Sequence, residues 1–364
     1  MSQLFTIVRY CRGLAIFIPL LCTACGELSY YSQAIRGHAG IMRGRQPIER
    51  LLALDTTSFE SKERLKETLA IRNFASEVLF LPDNDSYRSF NELKRDYVVW
   101  NVFAAPEFST ELMTWCFPIT GCLPYRGYFN KNSAQEYARE LEALGHDVYV
   151  GGVSAYSTLG WFADPVLDTM LIHGMTWAAR IIFHELAHQK LYIQDDTELN
   201  EAFADTVANI GVEKWLQHTR QNAEYESFQE QLVREADFHA LIMEYRDKYQ
   251  KLYASDRPVN EKRQGKEELH RDMHQKYQRL KIKWGNHSEY DAWFSAGPNN
   301  AHIGTITTYR DLAPLLKKLY LDNDSDIRRF YEAVQLLTGC EREERRIFLG
   351  NIHSGLSCLR TYKP

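Results

Sequence analysis

Arg180-Ile181-Ile182-Phe183-His184-Glu185-Leu186-Ala187-His188-Gln189 is the stretch that decides how this chain folds and which chemistry it holds. On a helix of 3.6 residues per turn, His184 and His188 stand one turn apart on one face, so two imidazoles can share a metal ion while Glu185 projects beside them. A catalytic zinc takes three protein ligands and leaves its fourth position to a water, which a neighbouring glutamate can deprotonate. Ile181, Ile182, Leu186 and Ala187 give the same helix an apolar face for the core. Two histidines do not complete a site, so the third ligand must come from elsewhere.

An extended motif with a third histidine is absent, because His188 is followed by Gln189-Lys190-Leu191-Tyr192-Ile193. The tract Gln194 to Thr197 breaks the helix, and Asp196 or Thr197 can cap a second one running from Glu198 through Trp215. That helix carries Asn200-Glu201-xxx-Asp205. Folding the two helices into an antiparallel pair turns Glu201 toward the histidines as the third ligand of a single zinc ion. Asp205, one turn further on, can accept a hydrogen bond from the outer nitrogen of a ligating histidine, with Asn200 beside it in the surrounding polar shell. Glu185 is the expected general base.

At 364 residues, with 45% apolar and 25% charged residues, the chain can bury a large core. A net charge of −5 offers no basic face, so nucleic acid is not an expected partner. Near the N-terminus, Arg9 and Arg12 precede the apolar run from Gly13 to Leu21, which is too short and proline-interrupted for a comfortable membrane span, and Thr23-Ala24-Cys25 follow. Residues 1–24 therefore read as an export signal resembling that of a bacterial lipoprotein, with Cys25 as the lipidated residue. The expected location is the periplasmic face of the outer membrane, reached by that lipid anchor. Four cysteines then remain, and the local pairs Cys116–Cys122 and Cys340–Cys358 are the favoured connectivity in an oxidising compartment.

The mature chain, residues 25–364, reads as one α+β domain, predominantly helical, in four stretches. Residues 25–146 carry helical spacing up to Phe80, a strand from Tyr97 to Ala105, strands joined by a stapled turn over 115–129, and a helix from Ser133, with Ser133 and Glu136 as a capping box. Residues 147–222 hold a strand, Asp147 to Ser157, expected at a sheet edge where an extended peptide could pair with it, and then the two metal helices, the first capped by Thr176. Residues 223–285 are strongly charged with helical period and read as a helical hairpin turning at 255–258. Residues 286–364 open with turn-rich sequence, then a β-like run from Ile303 to Tyr309 and helices over 311–321 and 325–337.

His184-Glu185-xx-His188 with Asn200-Glu201-xxx-Asp205 is similar to the gluzincin pattern of thermolysin-like enzymes. Trp115-Cys116-Phe117-Pro118, Tyr125-Arg126-Gly127-Tyr128-Phe129, Tyr156 to Phe162 and Ile182 to Gln189 further resemble a bacterial family of zinc aminopeptidases that often carry lipoprotein signals. The resemblance spans nearly the whole mature chain and implies a zincin-like metallopeptidase core acting on peptides. The Gly-x-Met-Glu-Asn motif with which many gluzincin aminopeptidases grip a substrate amine does not occur here. Tyr309 is the expected donor to a developing oxyanion, and Tyr156, Ser157 and Thr158 are expected to line the substrate cleft. Two alternatives stay open: a zinc endopeptidase, and a non-catalytic periplasmic scaffolding lipoprotein with a structural zinc.

Overall fold

The computed structural model describes residues 28–117, 121–307 and 312–350. Cys25, Tyr309 and Cys358 lie outside these, as does the signal segment. In chain order, helix α1 covers residues 28–44, followed by β1 (Gln46–Pro47), α2 (Ile48–Ala53), α3 (Phe59–Glu77), β2 (Ser89–Asn91), β3 (Val99–Pro106), β4 (Trp115–Phe117), β5 (Gly121–Leu123) and β6 (Arg126–Tyr128). Next come α4 (Lys131–Ala143), β7 (His146–Val153), β8 (Val166–Leu167), α5 (Asp168–Leu171), α6 (Met175–Lys190), α7 (Thr197–His218), α8 (Asn222–Tyr253) and α9 (Val259–Lys283). The chain closes through α10 (Asp291–Ser295), α11 (Asn300–Thr307), α12 (Ala313–Asp322), α13 (Ile327–Leu337) and α14 (Arg342–Gly350). Helices dominate and the sheets are small, an α+β arrangement.

The metal-motif helix α6 packs on α7 at the centre of the main core. Ile182, Phe183, Leu186 and Ala187 on α6 meet Leu199, Phe203, Val207 and Ile210 on α7, all at most 1% exposed. Each such leucine, isoleucine or phenylalanine contributes about 1.5–3 kcal/mol by leaving water. Gly211 makes the close approach possible, since a Cβ there would stand 2.6 Å from the Phe183 ring and 2.8 Å from Leu79. Helices α3, α12 and α13 complete this core with Phe74, Leu316 and Phe330.

A second cluster sits within the α8–α9 hairpin, where Tyr245, Tyr249, Met273 and Tyr277 are at most 1% exposed. The turn between these helices falls at 254–258, where the charged, helical sequence of 223–285 places it. A third cluster lies under the sheet ordered β6-β3-β7, which α4 covers with Ala134, Ala138 and Leu141. Strand β7 is terminal in that order, and the Asn299 side chain donates to its Val148 carbonyl at 2.9 Å.

Several expected boundaries move. Asn130, not Ser133, caps α4: its side chain accepts from the Ser133 amide, so the helix starts at Lys131. Gly174, at φ 91°, precedes α6 in place of Thr176, which lies in its first turn. Strand β7 ends at Val153, and residues 154–157 leave the sheet. The β-like run from Ile303 is helix α11, because the Asn299 carboxamide accepts from the Ala301 and His302 amides and starts a helical turn.

Candidate metal centre

The site is built from two facing helix stripes. On α6 the positions 177, 180, 184 and 188 fall on one face, and on α7 the positions 201, 205 and 209 do the same. Because the helices are antiparallel, His188 meets Glu201 and His184 meets Asp205. The short connection 191–196 holds them in register: the Asn200 carboxamide donates to the Ile193 carbonyl at 2.7 Å and accepts from the Ile193 amide at 2.8 Å. Asn200 thus secures the connecting loop rather than bonding to a ligand. Asp196 caps α7 through the Leu199 amide and forms a buried ion pair with Arg345 of α14.

His184 Nε2 and His188 Nε2 lie 3.1 Å apart. Glu201 places one carboxylate oxygen 3.4 Å from the first and the other 3.6 Å from the second. Four tetrahedral donors at zinc distances of about 2.0–2.1 Å are separated by about 3.3–3.4 Å, so this donor spacing fits a single small cation. These three residues could hold a metal ion. Asp205 Oδ1 lies 3.1 Å from His184 Nδ1, which assigns that nitrogen the proton and leaves Nε2 to face the ion.

Electrostatics agree with a ligand set. Burial pushes His188 down to about 4 and keeps its imidazole neutral. Burial also opposes charge on His184, but its hydrogen bonds to Asp205 and Glu201 outweigh that and raise it. Glu201 is lowered despite burial, because both imidazoles face it. Two carboxylates around two histidines attract positive charge, which a divalent ion supplies better than a proton. Glu185, beside them, is raised to about 7, chiefly by burial and also by Glu201.

Of the expected cleft residues, Ser157 meets the Glu185 carboxylate and the phenol of the buried Tyr87. Thr158 instead anchors its own loop: its amide and hydroxyl donate to the buried Asp164 at 2.8 and 3.0 Å. Tyr156 pairs its hydroxyl with His38 Nδ1 at 3.2 Å. The loop tip presents Trp161 and Phe162, 74% and 52% exposed.

Two phenols missed in the sequence surround the ligands. Tyr125, just before β6, is raised first by burial and next by the charges of Glu201 and Glu185. Tyr192 lies 6.5 Å, ring to ring, from His188. No local spacing marks Tyr125, since a residue in the bend between β5 and β6 reaches the site only through the fold. Arg180 also borders the ligands, one turn before His184 on the same face of α6. It holds Glu235 of α8 with two hydrogen bonds, 2.6 and 2.9 Å, and also feels Asp205.

The disulfide Cys116–Cys122 staples β4 to β5 and brings the hairpin onto the loop between the two metal helices. There Asp195 Oδ1 accepts from the Cys122 amide at 3.1 Å. Gly121, at φ 73°, allows this, because a Cβ would stand 2.4 Å from the same oxygen.

No curated protein and no solved structure matches the chain. Residues 29–349 match the model of a family described as "Putative aminopeptidase". That match runs from within α1 to within α14, taking in both metal helices and the stapled hairpin, and the chain belongs to this aminopeptidase family.

Proposed function

We propose that the protein is a zinc-dependent peptidase with a zincin-like core, acting as an aminopeptidase. The observation that carries this is the spacing of the donor atoms of three residues, with contacts of 3.1 to 3.6 Å, from two helices that also bring Glu185 to the same place. His184, His188 and Glu201 would hold the ion, which when bound supplies Lewis acidity to a water and to the scissile carbonyl. Glu185 takes the proton from the water and delivers it to the leaving amine. Its burial keeps it basic enough near neutral pH to do both. Ser157, hydrogen-bonded to that carboxylate, steadies it. Tyr125, near enough to feel the charges of Glu201 and Glu185, is a second candidate for the oxyanion-donor role beside Tyr309, which lies outside the described residues.

The enzyme would work at the periplasmic face of the membrane, tethered by lipid at Cys25. Among the described residues no helix is long and apolar enough to cross a membrane.

The test is Glu185→Gln in the purified chain, with zinc content measured. The variant is expected to keep one zinc and to lose hydrolysis of free-amine peptides by at least a hundredfold. Undiminished turnover would sink the mechanism. Cleavage of N-blocked peptides as fast as free ones would replace the aminopeptidase assignment with an endopeptidase.

A further inference from the structure

A cleft of about 860 Å³ opens between the first half of α6 and the start of α8. Trp177, Arg180, Glu224, Glu235, Glu289 and Tyr290 line it. Trp177 and Arg180 belong to the stripe of α6 that carries His184 and His188. At 1.5 Å per residue, Arg180 stands about 6 Å and Trp177 about 10 Å from His184 along the helix axis. An extended peptide advances about 3.3 Å per residue, so a chain laid along α6 from the metal centre reaches the cleft with its second or third residue.

The lining has a definite chemical preference. The lining holds three carboxylates and one guanidinium, and that guanidinium is already held by both oxygens of Glu235. Glu289 meets Arg234, which lies outside the lining, at 3.0 Å. Glu224 is exposed and makes no ion pair among the described residues. Aromatic side chains also line it: Tyr290 is stacked on Phe238 at 3.9 Å, and Trp177 belongs to the same lining. An exposed, unpaired carboxylate beside aromatic side chains favours a cation on an apolar stem.

We infer that this cleft is a subsite of the metal centre that takes a lysine or arginine side chain two or three residues from the peptide bond being cut. The assignment rests on the peptidase function proposed above.

The test uses the full chain carrying Glu185→Gln and loaded with zinc, titrated calorimetrically with hexa-alanine peptides in which one lysine is walked through the six positions. Matched peptides carry norleucine, which keeps the stem and removes the charge. Lysine is expected to bind at least tenfold tighter than norleucine at one internal position. Adding Glu224→Gln, a change at an exposed residue, is expected to cut that ratio at least threefold. Equal affinities at every position, or a lysine preference that Glu224→Gln leaves intact, overturns the subsite. A lysine preference erased by Glu224→Gln upholds it even if the unsubstituted chain cleaves none of these peptides, a result that overturns the peptidase function alone.

Discussion

His184 Nδ1 and Asp205 Oδ1 lie 3.1 Å apart, a contact between two helices that fixes which imidazole nitrogen points into the metal centre. An anionic acceptor holds the proton on Nδ1 and makes Nε2 a better donor to a cation. Asp205→Asn removes the charge and lets the amide offer a donor in its place. The zinc affinity, measured by chelator competition, is expected to fall about 10–100-fold with the far-ultraviolet dichroism unchanged. An unchanged affinity would show that Asp205 does not set the imidazole.

The α6–α7 contact depends on the missing side chain at position 211. Alanine would gain about 1 kcal/mol of helix propensity over glycine. Against that, its Cβ meets the Phe183 ring at 2.6 Å and Leu79 at 2.8 Å, an overpacking worth about 1–3 kcal/mol. Gly211→Ala is therefore expected to be destabilising by about 1 kcal/mol in urea unfolding. Because Phe183 precedes His184, the same variant should release zinc faster to a chelator.

The stapled hairpin contributes to stability independently of the metal. Closing so short a loop through Cys116 and Cys122 lowers the entropy of the unfolded chain by about 2 kcal/mol. The double variant Cys116→Ser, Cys122→Ser should lose about that much in urea unfolding under oxidising conditions, and adding reductant should not lower it further through this pair. Equal stability of variant and parent would mean that Asp195 and its neighbours hold the hairpin without the bond.

Acid sensitivity is expected from His302, 6% exposed, under the Tyr149 ring at 4.1 Å. Burial, with His270 adding to it and Asp147 opposing, pushes this imidazole down to about 4. An unfolded histidine titrates near 6.5, so between these values the unfolded chain binds a proton that the folded chain refuses. Stability from this group is intact above pH 6.5 and is lost as pH falls toward 4, up to about 3 kcal/mol. Unfolding at pH 7 and pH 4.5 should show the loss, and His302→Gln should flatten it.

The sequence revealed most where the chemistry is local. His184, Glu185 and His188 sit within one helical turn and Glu201 and Asp205 within another, so spacing alone put the five on two faces that the fold brings together. The hairpin of α8 and α9 was legible for the same reason, a sustained helical period. Ile303 to Thr307 misled, since its β-branched residues favour a strand while the cap at Asn299 and packing on β3 and β7 make it a helix. Strand β7 stops early because Ser157 turns toward Glu185 and Thr158 toward Asp164, partners that no periodicity announces. Tyr87 and Tyr125 stayed hidden because their positions depend wholly on contacts distant in sequence.

The loop 191–196 is gripped from both ends of the chain: Cys122 reaches Asp195 from upstream, and Arg345 reaches Asp196 from far downstream. Synthesis runs from one grip to the other, so a growing chain carries both histidines and Glu201 long before Arg345 exists to seat them. A chain ending before Arg345 would keep all three candidate donors and lose one of the two ties on the loop that joins their helices.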